Sequence, residues 1–214
     1  MAPLTDHCPK PLLSLAGKPL IVHHIEKLVA AGITEIVINH AWLGEKIETA
    51  LGDGQQFGAK IQYSAEPEGG LETGGGVFQA LPLLGQEPFL LVNGDVWTDW
   101  DYRQALMQPL GEYLAWLWLV ANPEHNAQGD FSLEQQQVAA DETTASKRYT
   151  FSGISLISPE LFADCEPGFF RLATLLRTAM KTAQVGGALL NANWVDVGTP
   201  ERLQQLETQL KSEK

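Results

Sequence analysis

The sequence predicts an α/β fold, a mostly parallel sheet flanked by helices, and three observations carry that expectation. Segments with helical spacing alternate with short β-branched runs from Lys18 to Val92. Pro88-Phe89-Leu90-Leu91-Val92 is uninterruptedly apolar, as in a strand buried on both faces of a parallel sheet, and it stops at Asn93-Gly94-Asp95. The 214 residues, 44% hydrophobic and 19% charged, suffice for one domain with a sizeable core.

In order, residues 1 to 13 hold three prolines and read as extended loop. A helix is expected from Lys18 to Ala31, with Pro19 in its first turn, Leu20, Ile21, His24, Ile25, Leu28 and Val29 at helical spacing, and Gly32 ending it. Ile33 to Asn39 reads as a strand, Trp42 to Leu51 as a short helix, and Lys60 to Ser64 as another strand. Glu66 to Gly76 reads as a glycine-rich loop opening a helix over Val77 to Leu84. Such a loop offers bare backbone N–H groups to a flat or anionic ligand, and no Gly-Lys-Ser/Thr follows to make it a Walker A loop.

Beyond Asp95 the pattern gives a short helix from Tyr102 to Met107 and a strand from Tyr113 to Ala121, which Trp116 and Trp118 fill. The acidic stretch Asn122 to Ala145 should hold a hairpin around Phe131-Ser132-Leu133 and Gln137-Val138, with mobile tips. Thr150 to Ile157 is a buried strand, Pro159 to Phe162 and Phe169 to Lys181 are helical, and Gly187 to Ala192 with Trp194 to Val197 form a last strand pair. Thr199 then caps a helix to about Leu210, with Pro200 at its first position.

Twenty-six acidic against fourteen basic residues give a formal charge of -12, which repels phosphate polymers and anionic membranes, so neither nucleic acid nor membrane is expected as a partner. Cys8 and Cys165 make neither a disulfide framework nor a zinc site, and no export signal or long apolar run is present. A cytoplasmic protein is therefore expected. His23, His24, His40 and His125 lack metal-ligand spacing, and His24 reads as core.

Two carboxylates carry the chemistry. Asp95 ends a strand at the edge where α/β sheets bind ligands, and Asp196 sits similarly in Trp194-Val195-Asp196-Val197-Gly198-Thr199-Pro200-Glu201. Within 4 Å of each other they would repel by about 4 kcal/mol at an effective dielectric near 20. A divalent cation removes that cost, so Asp95 and Asp196 form a candidate Mg2+ pair.

Four segments together resemble the sugar-1-phosphate nucleotidyltransferase family. Pro3-Leu4-Thr5 with Cys8-Pro9-Lys10-Pro11-Leu12-Leu13 looks like the second half of its signature, and Glu72-Thr73-Gly74-Gly75-Gly76 like its base-binding loop. Asn93-Gly94-Asp95 and the segment around Asp196 resemble its two metal aspartates. Phe151-Ser152-Gly153-Ile154 sits where the family lines its sugar pocket. Ile36-Val37-Ile38-Asn39-His40-Ala41-Trp42-Leu43 and Asn93 to Asp99 look most like its bacterial uridylyltransferases.

The resemblance implies a nucleotide-diphospho-sugar transferase fold, Rossmann-like in kind, and attack of a sugar 1-phosphate on UTP with Mg2+ as cofactor. It implies Lys10 as the catalytic charge on the phosphates, Glu72, Gly74, Gly75 and Gly76 at the nucleotide, and Asn93 and Gly153 at the sugar. Sister enzymes take mannose or glucose 1-phosphate with GTP or dTTP. In many relatives a second lysine lies near the sugar phosphate; Gln128-Gly129-Asp130-Phe131 offers none, which leaves Lys147 or Arg148 as substitutes. The family's first strand and Gly-x-Gly-x-Arg loop precede its Pro-Leu-Thr, and neither falls within this sequence. The expectation is that Met1 is internal to a longer protein, the alternative being a remnant that binds a nucleotide sugar without turnover. Without the family's oligomerisation extensions, a monomer is expected.

Overall fold

Residues 1, 4–140 and 147–212 are described by a computed structural model, so Pro3 of the first motif and positions 141–145 of the acidic stretch lie outside the described residues. The chain begins with a 3-10 turn at Lys10–Leu12, then β1 (Ser14–Leu15), β2 (Lys18–Pro19), α1 (Leu20–Ala30), β3 (Glu35–His40), α2 (Gly44–Leu51) and β4 (Lys60–Ala65). It continues through α3 (Glu72–Leu84), β5 (Phe89–Val92), β6 (Val96–Thr98), α4 (Arg103–Leu106) and β7 (Ala115–Val120). A hairpin of β8 (Phe131–Glu134) and β9 (Gln137–Ala139) precedes β10 (Arg148–Ile157), α5 (Leu172–Met180), β11 (Val185–Leu189), β12 (Trp194–Asp196) and α6 (Pro200–Ser212).

These elements form two compact units. The first comprises Met1–Gly70, Gly94–Gln104 and Ala192–Lys214. In it β3 pairs with β4 in parallel, and Ile21, Ile25, Ile38, Ile47, Leu51 and Ile61 make one apolar cluster. A second cluster, Leu15, Leu20, Trp97, Val197 and Leu206, lies where β6 and β12 form an antiparallel ladder. Burying each such side chain contributes roughly 1.5–3 kcal/mol.

The second unit comprises Leu71–Asn93 and Ala105–Asn191. Its six-stranded sheet runs β5-β10-β7-β11-β9-β8. Leu117, Leu119, Ile157, Leu176 and Val185 lie in its core, and Trp116 and Trp118 are buried strand residues as expected. Among the described residues no helix is long and apolar enough to cross a membrane.

The expected α/β fold forms, but its sheet is mixed and not mostly parallel: among the described residues β3–β4 and β7–β11 are parallel, and the other ladders are antiparallel. The run Phe89–Val92 is a strand, but a half-buried terminal one, antiparallel to β10. An apolar run signals burial and leaves partner and direction open. Pro19 stands before α1 as its N-cap, because Lys18–Pro19 pairs with Ser14–Leu15.

The expected last strand pair does not form: β11 runs parallel to β7, and β12 pairs with β6. Gly186 and Gly187 explain the difference, since a Cβ at either would press on Trp116 or Val138; β11 is shaped for β7 and β9. The hairpin of β8 and β9 forms as expected, and Thr199 caps α6 through its Oγ1, 3.3 Å from Arg202 N.

The glycine-rich loop is the largest correction. Gly74, Gly75 and Gly76 lie inside α3, all buried. A Cβ on Gly74 would stand 2.6 Å from Phe170 Cδ2, and one on Gly75 would overlap the Gly168 carbonyl oxygen. Glycine costs a helix about 0.8–1.0 kcal/mol per residue. Here it lets the 168–172 segment lie directly against the helix, an approach that local propensity does not reveal.

Candidate active site

The first unit gathers the charged candidates. Pro9 holds extended backbone at φ -64° and ψ 142° as the residue before the Lys10–Leu12 turn, Pro11 is the second residue of that turn, and Lys10 is fixed between the two prolines. Lys10 Nζ donates to Asp95 Oδ2 at 2.9 Å. Gly94 lies beside Pro11, where a Cβ would meet Pro11 Cγ at an ordinary contact distance of 3.6 Å.

Asp95 immediately precedes β6 and Asp196 ends β12, the two strands of one ladder. Asp196 is the register partner of Val96, and Val197 N donates to the Asp95 carbonyl oxygen at 2.8 Å. At the other end of the ladder, Asn193 N donates to Asp99 Oδ1 at 2.8 Å, and Thr98 Oγ1 donates to the Asn193 carbonyl oxygen at 2.7 Å. The ladder is therefore held by hydrogen bonds at both ends and carries the two aspartates at one of them.

His24 braces this ladder from α1. Its Nε2 lies 2.7 Å from the Val96 carbonyl oxygen, which only accepts, so Nε2 carries the proton and Nδ1 accepts from the Tyr102 hydroxyl at 2.8 Å. Complete burial pushes the imidazole down to about 4 against the raising effect of the Val96 carbonyl, so it is neutral at pH 7. The expectation that His24 belongs to the core holds.

Sequence reasoning missed Arg202. From the first turn of α6 its Nη1 donates to Asp196 Oδ2 at 3.0 Å. A Cβ on Gly198 would overlap Nη2, so glycine there opens the path of the guanidinium. The signal was present in Gly198-Thr199-Pro200-Glu201-Arg202, where a capped helix start returns an arginine toward the preceding aspartate.

The second unit holds the remaining candidates. Asn93 and Gly153 meet: Asn93 N donates to the Gly153 carbonyl oxygen at 2.8 Å, and a Cβ on Gly153 would stand 2.8 Å from Asn93 Nδ2. A bulge between Phe151 and Ile154 creates this approach, with Gly153 at φ 79° and Ser152 Oγ donating to the Trp118 carbonyl at 2.7 Å. Glu72 opens α3 at φ 59°, a left-handed conformation that strains a non-glycine residue, and pairs with Arg171 at 3.3 Å. Gly75 N donates to the Phe170 carbonyl at 3.0 Å, so it is not a bare donor for a ligand.

Both expected substitutes for the second lysine make contacts within the second unit. Arg148 Nη2 donates to the Asp130 carbonyl at 2.8 Å and braces the 128–130 turn, while Lys147 lies over the Tyr149 ring.

The donor set fits a hard divalent cation. Asp95 and Asp196 offer oxygen ligands with side chains 40% and 31% exposed, and among the described residues no group of three or more metal-ligating side chains competes with them. Two carboxylates plus substrate phosphates and water is the set that Mg2+ commonly takes.

Residues 1–129 match the family model described as Nucleotidyl transferase. The chain is 52% identical to the N-acetylmuramate alpha-1-phosphate uridylyltransferase of Neisseria meningitidis serogroup B over 97% of this chain and 91% of that protein. It is 29% identical to the protein of the same name from Caulobacter vibrioides, over 98% and 91%. The fold matches a UDP-glucose pyrophosphorylase solved with UDP-glucose at a TM-score of 0.80 and 15% identity, covering 100% of this chain and 94% of that one.

Proposed function

Because this chain belongs to the sugar-1-phosphate nucleotidyltransferases of the nucleotidyl transferase family, we propose that it transfers the uridylyl group of UTP to N-acetylmuramate 1-phosphate. The products are UDP-N-acetylmuramate and pyrophosphate. The observation that carries this reading is the 52% identity with the meningococcal uridylyltransferase along 97% of the chain. UTP and a recycled cell-wall sugar put the reaction in a bacterial cytoplasm, and a monomer suffices for it.

A phosphate oxygen of the sugar 1-phosphate attacks the α-phosphorus of UTP, and the pyrophosphate oxygen leaves in line. Such a displacement asks the protein chiefly for positioning and charge. Asp95 and Asp196 are the residues that would hold Mg2+. When bound, that cation offsets the negative charge of the phosphates. Lys10, held by its flanking prolines, exchanges Asp95 for phosphate oxygens. On the nucleotide side Glu72 opens α3, and Gly74 and Gly75 set how closely that helix packs, with Gly76 buried next to them. Asn93 and Gly153 take the sugar side.

The test is pyrophosphate release with Mg2+ and three substrate pairs: UTP with N-acetylmuramate 1-phosphate, GTP with mannose 1-phosphate, and dTTP with glucose 1-phosphate. The first pair is expected to turn over fastest. Faster release from either other pair replaces the substrate assignment.

A further inference from the structure

Each of the two aspartates has its own cation. Lys10 lies 2.9 Å from Asp95 and Arg202 lies 3.0 Å from Asp196, which makes two neutral pairs on one ladder. The proposed reaction uses Lys10 and leaves Arg202 unassigned. Arg202 is nonetheless carefully placed: Thr199 caps the turn that carries it, Gly198 leaves room for its guanidinium, and its side chain is 23% exposed.

The geometry points to Arg202 as an exchangeable counter-ion, which neutralises Asp196 in the empty site and passes to a phosphoryl group when metal and substrate arrive. A bare divalent cation approaching Asp196 meets a like charge already on the carboxylate. A cation arriving with a phosphate brings anionic oxygens, to which a planar guanidinium makes paired, charge-assisted hydrogen bonds. The pairing therefore disfavours metal alone and favours metal with phosphate. Arg202 supplies a second basic group for the phosphates beside Lys10. This inference rests on the nucleotidyl-transfer reading, and the phosphoryl group belongs either to the nucleotide or to the sugar 1-phosphate.

Binding to the purified chain tests it without turnover. Mn2+ alone is titrated by electron paramagnetic resonance, and UTP with Mg2+ and N-acetylmuramate 1-phosphate with Mg2+ by calorimetry. Arg202→Met should bind Mn2+ about tenfold more tightly and at least one phosphate ligand about tenfold or more weakly, the range for removing one partner of a close charge pair. Loss confined to UTP assigns the triphosphate, and loss confined to the sugar phosphate assigns that group. Arg202→Lys keeps the charge, so its Mn2+ affinity stays near wild type and part of the phosphate affinity returns.

Opposite signs separate this role from a structural one. Parallel weakening of Mn2+ and phosphate, or no change in either, overturns it, with thermal melts confirming that the variants are folded. A wild-type chain that binds neither Mn2+ nor UTP, or whose Mn2+ binding survives Asp95→Asn intact, overturns the nucleotidyl-transfer reading as well.

Discussion

The region around Asp95 and Asp196 works through side chains, whereas the regions around Gly74–Gly76 and Gly153 work through their absence. In the first, four charged groups stand half-exposed on a pinned ladder. In the second, the main chain lies so close to Phe170, Gly168 and Asn93 that a single added carbon has no room. The difference teaches where function and stability separate. The charged region is expected to lose a group and stay folded, and the glycine region to lose stability on gaining one.

The largest effect expected is on turnover. Asp95→Asn or Lys10→Ala should lower kcat/KM by on the order of 10²–10³-fold, the scale for losing one electrostatic contact to a transition state. The melting temperature should barely move, because a part-exposed ion pair contributes only about 0–1 kcal/mol. A large drop in melting temperature alongside the lost activity breaks the comparison.

Next comes a pH effect within the charged region's own support. The His24 imidazole lies at about 4 when folded and at its ordinary 6.5 when unfolded. Between those values the unfolded chain binds the extra proton, so stability rises with pH. The contribution, about 3 kcal/mol at 1.36 kcal/mol per unit, is fully present above pH 6.5 and is lost as pH falls toward 4. Denaturant midpoints between pH 4 and 7 should fall less steeply for His24→Asn than for wild type.

Gly75→Ala sharpens the contrast from the other side. Its Cβ overlaps the Gly168 carbonyl oxygen, and overpacking of this kind costs about 1–3 kcal/mol, read as a lower denaturation midpoint. Unchanged stability would show that the 168–172 segment yields easily. The smallest effect is set by Lys60→Ala, which removes a pair with Glu35 whose side chains are 69% and 80% exposed. It should change stability by less than about 0.5 kcal/mol and leave turnover alone.

Much of the site was legible because its signals are local. Proline on both sides of Lys10 fixes a backbone whatever surrounds it, and Thr199-Pro200 starts a helix by satisfying its own first turn. The core role of His24 followed from its place on an apolar helical face. Arg202 was not legible in this way, because its meaning depends on a missing side chain at Gly198 and on a carboxylate six residues back.

By itself the sequence determined the α/β character, the capped start of α6 and three of the four charged groups, Lys10, Asp95 and Asp196, since hydrophobic period, capping and proline geometry act over a few residues. Only the tertiary structure decided that β12 pairs with β6 and not with β11, that three consecutive glycines are buried inside α3, and that each aspartate has its own cation. Those outcomes depend on contacts between segments separated by tens of residues. Such contacts are chosen by close packing and charge pairing, and neither leaves a trace in local pattern.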